Sequence, residues 1–321
     1  MPLTSAITVT VPATTANLGP GFDCIGAALT LYNQFKFTSL DNKLVKITIT
    51  GLEAERVKTD DSNLVYQAFL KFYQTIGQTP PPVQIDIDLG VPLARGLGSS
   101  ATAIVGGLIG ANHLANSPLN QIQVMELAIA LEGHPDNVVP ALLGGCRLAA
   151  SKQRNEPPKR QERQEEVGDW EICDVPWHQS IVPVVAIPEF ELSTKKARRV
   201  LPEQVSRADA IFNTAHLGLL LRGLETGTGD WIKAALQDRL HQPYRQILIS
   251  GYEAVRLAAM TAGAYGMVIS GAGPTLLALV DAQKAVAVEA AMSKAWQEQG
   301  ITASGRSLKI DSQGAKISAV D

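Results

Sequence analysis

A short run of glycine and serine residues is the part of this sequence best suited to bind phosphate. Residues 92–101 are Pro-Leu-Ala-Arg-Gly-Leu-Gly-Ser-Ser-Ala and lie between a strand pattern and a helical pattern. Glycines let a backbone approach a ligand closely, and the first turn of a helix offers free N–H groups to an anion. The two serines can cap that helix, contact phosphate or place a hydroxyl on Mg²⁺. The spacing is not that of a Walker A loop, and a simple capped turn is the alternative.

Two other loops carry polar groups at the ends of predicted strands. Residues 12–23 offer an amide at Asn17 and a carboxylate at Asp23, on a loop that Gly-Pro-Gly at 19–21 keeps open. Residues 266–275 join two apolar segments through a Ser-Gly-Ala-Gly-Pro turn. Taken alone, the first loop is compatible with an ordinary Asn/Gly/Pro turn and the second with a hairpin.

A predicted helix over residues 120–132 carries two glutamates just ahead of a His-Pro-Asp-Asn segment at 134–137. Both Glu126 and Glu132 flank an apolar face, and the opposite side of the helix is apolar as well. Because a buried carboxylate needs a partner or a metal, one of the two is expected to have a functional role. The helical periodicity alone does not decide between them.

Hydrophobic periodicity places these loops in a fold of mixed helices and strands. Alternation predicts strands over 7–11, 43–50, 83–89, 181–187, 267–270 and 275–280. Helical spacing predicts helices over 64–76 (capped by Asp61 or Ser62), 99–115, 120–132, 194–200, 206–223, 228–239, 245–262 and 283–299. Residues 151–169 are rich in mixed charges, which is typical of a solvated loop. They set the expected boundary between two domains, 1–165 and 166–321.

Composition and charge exclude several classes of protein. Hydrophobic residues make up 45% of the chain, too many for a disordered protein, and the net charge of −3 argues against non-specific nucleic-acid binding. Three cysteines, Cys24, Cys146 and Cys173, cannot form a disulfide framework. No apolar run has the length of a transmembrane helix, and residues 1–4 lack a signal-peptide pattern. The sequence therefore predicts a cytoplasmic protein without a membrane or nucleic-acid partner.

The three loops, taken in this order, resemble the GHMP kinase superfamily. Residues 92–101 are similar to its phosphate loop, 12–23 to its first motif and 270–275 to its third. Within the superfamily, the segments 12–23, 134–141 and 192–198 resemble the homoserine kinase family. The resemblance implies an α+β fold, with an N-terminal domain like domain 2 of ribosomal protein S5, a ferredoxin-like C-terminal domain and the site between them.

The resemblance also implies an activity. This is the ATP-dependent phosphorylation of the side-chain hydroxyl of L-homoserine to O-phospho-L-homoserine, a step toward threonine, with Mg²⁺ as cofactor and with association of two copies as a homodimer. One alternative is another small-molecule kinase of the superfamily, such as a mevalonate kinase. A different class of alternative is a nucleotide-binding regulator that has lost turnover.

Site residues follow from the resemblance, position by position. It implies ATP-phosphate binding by Pro92, Leu93, Ala94, Arg95, Gly96, Leu97, Gly98, Ser99, Ser100 and Ala101, with Asn63 near the base. It implies a Mg²⁺ site at Ser100 and Glu126, the glutamate eleven residues ahead of Asn137. It implies substrate binding by Asn17, Asp23, His134, Asp136, Asn137, Thr194, Arg198, Arg245 and Gly271, with Asp23 and Asn17 as catalytic residues.

Four of these assignments leave alternatives open. Asn63 either lies near the nucleotide base or serves only as the N-cap of the helix that follows. Asp23 is either a general base or a group that only orients the substrate. Arg245 and Arg198 are expected to hold the homoserine carboxylate, because a guanidinium binds a carboxylate through two parallel hydrogen bonds, and Arg239 competes with Arg245 for this role. Arg95 is expected to meet either ATP phosphate or solvent.

Overall fold

The computed structural model describes residues 6–40, 45–152 and 170–319, and its first layer is a seven-stranded sheet. The strands are β1 (Ala6–Ala16), β2 (Ile25–Ser39), β3 (Lys46–Gly51), β4 (Val83–Leu89), β5 (Cys146–Ser151), β6 (Trp170–Val175) and β11 (Lys316–Ala319). The main order is β11-β1-β2-β4-β3, while β5 pairs with β2 and β6 with β5. Only the β3–β4 pair is parallel among these described strands.

Four helices pack on this sheet: α1 (Leu64–Thr75), α2 (Ser99–Leu114), α3 (Gln121–Glu132) and α4 (Pro135–Leu143). Glycines on α2 allow it to lie directly on β2. A Cβ atom at Gly106 would lie 2.4 Å from the Phe35 ring, and one at Gly110 would lie 2.3 Å from the Phe37 ring. Close backbone packing thus explains two glycines that would otherwise weaken a helix interior.

The second layer is a four-stranded antiparallel sheet with its own helices. Its strands are β7 (Ile181–Pro188), β8 (Gly266–Ile269), β9 (Leu276–Asp281) and β10 (Ala303–Ser307), in the order β10-β7-β9-β8. Its helices are α5 (Thr194–Arg199), α6 (Arg207–Thr226), α7 (Gly229–Ala235), α8 (Gln242–Arg245), α9 (Tyr252–Thr261) and α10 (Ala285–Glu298). A buried cluster that includes Leu18, Leu97, Leu236 and Val268 joins the two layers.

The predicted mixture of helices and strands is confirmed, with differences at several boundaries. Asn63, and not Asp61 or Ser62, caps α1. The helix predicted over 245–262 is interrupted, because Ile249 is extended and Gly251 adopts a left-handed conformation with φ of 76°. The helix predicted over 228–239 ends at Ala235.

Several short elements were not predicted. These are α4, which contains Pro140, and the strands β5, β6, β10 and β11. Both β6 and β11 complete the first sheet although they follow residue 165, so the chain enters that sheet again twice after the predicted boundary. The division into 1–165 and 166–321 stays a prediction, and the loop predicted at 151–169 lies outside the described residues from 153 onward.

Candidate functional site

Direct hydrogen bonds join the three loops singled out by the sequence. The Thr14 amide donates to the Leu97 carbonyl at 3.1 Å, and the Gly271 amide donates to the Ala16 carbonyl at 2.9 Å. The Ser270 hydroxyl donates to the Gly96 carbonyl at 2.7 Å. Because strands of both sheets lead into these loops, the loops meet where the two layers join. They enclose a cleft of about 110 Å³.

Most of the predicted site residues line this cleft. Those present are Asn17, Ala94, Gly96, Gly98, Ser99, Ser100, His134, Asn137, Thr194, Arg198, Arg245 and Gly271. The remaining ones, which do not line it, are Asp23, Asn63, Pro92, Leu93, Arg95, Leu97, Ala101, Glu126 and Asp136. The lining also contains residues that the sequence analysis did not assign to the site: Glu132, Leu192, Ala272 and Gly273.

The phosphate loop has the backbone geometry that its glycines require. Gly96 and Gly98 have positive φ values of 77° and 70°. A Cβ atom at Gly96 would lie 2.3 Å from the Ser270 carbonyl oxygen, and one at Gly98 would lie 2.0 Å from the Thr14 hydroxyl. Gly98 is the residue before α2, a 16-residue helix whose free N–H groups therefore face the cleft. This end of the cleft can bind an anion.

Arg95 is occupied by the protein itself. It is 7% exposed. Its guanidinium donates to the carbonyls of Pro188 at 2.9 Å and Glu189 at 2.5 Å, and it pairs with Glu53 at 3.1 Å and Glu191 at 2.9 Å. The sequence analysis expected the Arg95 guanidinium to meet ATP phosphate or solvent. In the structure it contacts carbonyl and carboxylate groups of the protein instead. Arg95 ties the phosphate loop to the end of β7.

Asn63 acts as the cap of α1. Its side-chain oxygen accepts hydrogen bonds from the Val65 amide at 3.0 Å and the Tyr66 amide at 3.3 Å, and its amide group donates to the Lys58 carbonyl at 2.8 Å. The residue is 2% exposed. With these three hydrogen bonds in place, its side chain supports the helix and does not face the cleft.

The geometry favours Glu132 over Glu126 as the carboxylate next to the phosphate loop. The Ser100 hydroxyl donates to the Glu132 carboxylate at 2.9 Å, whereas Glu126 lies six residues earlier on α3 and away from the cleft lining. Burial raises the pKa of Glu132 above the usual carboxyl value, and the positive charges of His134 and Arg198 only partly oppose this effect. Glu132 is thus a half-buried carboxylate without a strong cationic partner among the described residues.

At the opposite end of the cleft, Arg198 in the lining forms an ion pair with Asp23, which is outside the lining. Arg198 donates to both Asp23 oxygens, at 2.9 and 2.8 Å. Burial disfavours the charged form of Asp23, but the hydrogen bonds and charge of Arg198 outweigh it and lower the Asp23 pKa. The Asn17 side chain orients this loop, because it accepts from the Asp23 amide at 2.8 Å and donates to the Gly271 carbonyl at 3.0 Å.

A second guanidinium lies beside this pair. Arg245 is 1% exposed and donates to the carbonyls of Gly271 at 3.0 Å and Ala197 at 3.3 Å. Burial, helped by the charge of Arg198, lowers its pKa to about 10. The rival Arg239 is instead exposed, with its guanidinium carbon 3.8 Å from the centre of the Phe212 ring. Of these two cations, Arg198 pairs directly with Asp23 and Arg245 donates only to carbonyl oxygens. The two guanidiniums in the lining favour a ligand with a negative group.

A polar row from α4 lies between the two ends. His134 Nδ1 is 2.5 Å from the Asp136 carboxylate, and the Thr14 hydroxyl donates to the Asn137 side-chain oxygen at 2.8 Å. Burial disfavours the charged form of His134, but Asp136 and Glu132 outweigh it and raise the His134 pKa. The second Asp136 oxygen, Oδ2, has no hydrogen-bond partner among the described residues.

The described residues limit how a metal ion could be held in this cleft. Among the described residues, no three His, Cys, Asp or Glu side chains form a metal-binding group. A Mg²⁺ ion here would therefore need ligands beyond the protein, such as phosphate oxygens, which is how Mg²⁺ is commonly bound.

A larger cavity of about 330 Å³ lies between α1, α2 and α3. Its lining, which includes Leu64, Ile104 and Leu131, shares no residue with the cleft.

Within the described ranges, no helix combines the length and the apolar character needed to cross a bilayer.

Two family patterns match the chain, and its relatives cover almost its full length. The pattern of the GHMP kinases N terminal domain matches residues 63–145, and that of the GHMP kinases C terminal domain matches residues 220–298. The chain is 71% identical over 316 residues to the homoserine kinase of Nostoc punctiforme, covering 98% of this chain and 99% of that protein. It is 55% identical to the homoserine kinase of Thermosynechococcus vestitus, covering 96% and 98% of the two chains.

Solved structures show the same architecture. The crystal structure of homoserine kinase from Cytophaga hutchinsonii superposes with a TM-score of 0.85 at 28% identity, covering 99% of each chain. The phosphomevalonate kinase of Streptococcus pneumoniae superposes with a TM-score of 0.64 at 15% identity, covering 94% of this chain and 99% of that one. At 15% identity, the second likeness concerns the fold alone.

Proposed function

The chain belongs to the homoserine kinase family of the GHMP kinases, and from this premise we propose how its cleft works. The reaction transfers the γ-phosphoryl group of ATP to the side-chain hydroxyl of L-homoserine and yields O-phospho-L-homoserine and ADP. One observation carries the assignment. A helix N-terminus suited to phosphate and the guanidinium groups of Arg198 and Arg245 face the same cleft, and Asp23 pairs with Arg198.

The phosphate loop binds the ATP phosphates through its backbone. The Gly-Leu-Gly-Ser-Ser turn leads into α2, and the free amides of Ser99 and Ser100 are in the first turn of that helix. Such amides and the helix dipole attract an anion without any charged side chain. The Arg95 side chain contributes indirectly, because it holds this loop against β7.

Ser100 and Glu132 are the residues suited to hold Mg²⁺. Hydroxyl and carboxylate oxygens are the ligands that Mg²⁺ prefers, and the hydrogen bond between these two side chains brings their oxygens to one place. The raised pKa of Glu132 supports the assignment, because a buried carboxylate short of positive charge is stabilised by a cation. We place the ion here and not at Glu126. Mg²⁺, when bound, neutralises charge on the transferred phosphoryl group.

The amino-acid end recognises both charges of L-homoserine. Without substrate, Asp23 and Arg198 neutralise one another. The substrate carboxylate takes the place of Asp23 at Arg198, with Arg245 as the second cation, and the released Asp23 accepts the substrate ammonium together with Asn17. An uncharged alcohol can make neither exchange, so the ion pair favours a zwitterion. Asn137 and His134 lie between the two ends and face the substrate hydroxyl.

Asp23 orients the substrate and does not act as a strong base. Arg198 lowers the Asp23 pKa in the substrate-free protein. When Asp23 instead accepts the substrate ammonium it again lies beside a positive charge, so it stays a poor proton acceptor. Phosphoryl transfer needs positioning and charge neutralisation more than early proton removal. The hydroxyl oxygen forms a bond to the γ-phosphorus while the bond from phosphorus to the departing ADP oxygen breaks, and the hydroxyl proton is released with the product.

A coupled ADP-release assay with Mg-ATP tests the proposal. We expect turnover on L-homoserine and little on L-serine, L-threonine, mevalonate or galactose. The variant Arg198→Leu should raise KM for L-homoserine by about 10-fold or more, on the scale of a lost charge-assisted hydrogen bond, with a much smaller change in KM for ATP. Turnover on mevalonate or galactose instead of L-homoserine would refute the substrate assignment. The homodimer and the cytoplasmic location stay predictions.

A further inference from the structure

His241 is a fully buried histidine directly behind the loop that carries Asp23. Its exposed fraction is 0%, and its Nε2 atom lies 2.9 Å from the Gly19 carbonyl oxygen. A carbonyl oxygen only accepts hydrogen bonds, so Nε2 carries the proton and donates. Nδ1 has no hydrogen-bond partner among the described residues. A neutral ring therefore costs less here than a charged one, which would bury an unpaired N–H donor.

The nearest carboxylate, Asp238, holds the backbone next to the ring rather than the ring itself. Its oxygens accept from the amides of Leu240 at 3.0 Å, His241 at 2.8 Å and Gln242 at 2.6 Å. The Nε2 atom of His241 is 3.7 Å from Asp238, beyond hydrogen-bond distance. Asp238 thus fixes the peptide of His241 and leaves the imidazole to contact the neighbouring loop.

The second contact of the imidazole is with Phe22. The two rings stack, with centroids 5.2 Å apart and planes inclined by 24°. The Phe22 ring also lies under the guanidinium carbons of Arg245 at 5.0 Å and Arg198 at 5.7 Å. Asp23 is the next residue in the chain and has a left-handed φ of 57°, a conformation that neighbouring contacts must maintain in a non-glycine residue.

We propose that His241 is a positioning residue for the amino-acid end of the cleft. Its hydrogen bond to Gly19 and its stacking on Phe22 hold the 17–23 loop, and thereby set where Asp23 meets the substrate. It touches neither substrate nor phosphate. The inference rests on the proposed function, because it names a residue that supports L-homoserine binding. It predicts that losses at His241 appear in KM for L-homoserine and hardly in KM for ATP.

Two variants separate the two contacts. His241→Gln keeps a side-chain N–H that can donate to Gly19 but removes the ring, and His241→Phe keeps the ring but removes the donor. Each should raise KM for L-homoserine by about 3- to 10-fold, on the scale of one stacking contact or one hydrogen bond. His241→Ala removes both contacts and should raise it by about 30-fold. His113→Gln, in the last turn of α2 far from Ser99, is the control and should change neither constant.

Steady-state kinetics and thermal melting of the same proteins decide the question. A raised KM for L-homoserine with KM for ATP within twofold of wild type supports the inference. Unchanged constants in all three His241 variants would overturn it, and so would equal rises in both KM values with a lower melting temperature, which indicate a merely structural role. Failure of the wild-type enzyme itself on L-homoserine would instead refute the proposed function and this inference with it.

Discussion

The phosphate end and the amino-acid end of the cleft are built in opposite ways. The phosphate end uses the backbone of one continuous segment, residues 96–100, at the start of α2. The amino-acid end uses side chains from four separate segments of the chain, namely 17–23, 134–137, 198 and 245. At the first end the proposed binding groups are peptide N–H donors, and at the second they are polar and charged side chains.

This difference follows from the two ligands. A phosphate group needs only donors, and a helix start supplies them without side-chain help. A zwitterion needs both signs of charge close together, and such groups attract each other when the ligand is absent, as Asp23 and Arg198 do. Their positions must therefore be set by further residues, among which we place Phe22 and His241. The amino-acid end needs long-range contacts to bring its binding groups together, whereas at the phosphate end such contacts support a segment whose binding groups are already adjacent in the sequence.

Replacing Glu132 should have the largest effect, because it is the carboxylate next to the backbone-built end. Glu132→Gln keeps the shape and the hydrogen bond from Ser100 but removes the charge that a cation requires. We expect kcat to fall by at least about 100-fold, the scale of losing one group that stabilises developing charge. At neutral pH the melting temperature should be equal or higher, because a partly buried charge has been removed. Kinetics and thermal melting measure the two effects.

Glu126→Gln is the matched control on the same helix. It should keep kcat within about twofold, as is usual for a substitution away from the site. If Glu126→Gln lost activity while Glu132→Gln kept it, the metal site proposed at Ser100 and Glu132 would be refuted.

The local elements of the phosphate end could be predicted from the sequence alone, because the strand, the glycine loop and the helix are local patterns. The strand is found over Val83–Leu89 and the helix over Ser99–Leu114, with the loop between them, while phosphate binding by this loop stays a prediction. The amino-acid end is different. Substrate-binding roles were assigned to Asn17, Asp23, His134, Arg198 and Arg245 only through resemblance to a family. No local pattern brings residues 23 and 198 together.

The choice between Glu126 and Glu132 shows where local patterns stop being informative. Both glutamates flank one apolar face of α3, and only the packing of that helix beside Ser100 distinguishes them. Arg95 is a similar case: its position in the phosphate loop pointed to a ligand, whereas its partners Glu53, Pro188 and Glu191 come from distant parts of the chain. Such partners could not be predicted from spacing.

A smaller effect is expected from adding a methyl group to the phosphate loop. Gly96→Ala places a Cβ atom 2.3 Å from the Ser270 carbonyl, whereas Gly77→Ala meets nothing within 4 Å, although both residues have left-handed φ values of 77° and 67°. Both variants should lose about 1 kcal/mol from backbone strain. Gly96→Ala should lose about 1–3 kcal/mol more from overpacking and raise KM for ATP about 10-fold. Urea unfolding and kinetics measure these differences, and equal losses in the two variants would show that the close contact has no energetic consequence.

The smallest effect concerns the ion pair at the amino-acid end, seen as the dependence of stability on pH. Arg198 holds the Asp23 pKa below the usual carboxyl value, so the pair stabilises the folded protein at pH values above about 3.9, where Asp23 ionises in the unfolded chain. That contribution is lost as the pH falls through the lower, folded-state pKa. Asp23→Asn should therefore reduce the free energy of unfolding by about 1 kcal/mol near pH 6, with a difference from wild type that shrinks at more acidic pH. Glu253→Gln, which removes an exposed ion pair with Arg256, is the control and should change stability by less than about 0.5 kcal/mol. A difference between Asp23→Asn and wild type that persisted unchanged to pH 2 would mean that Asp23 stabilises this loop by shape rather than by charge, and the amino-acid end would then resemble the phosphate end more than we infer.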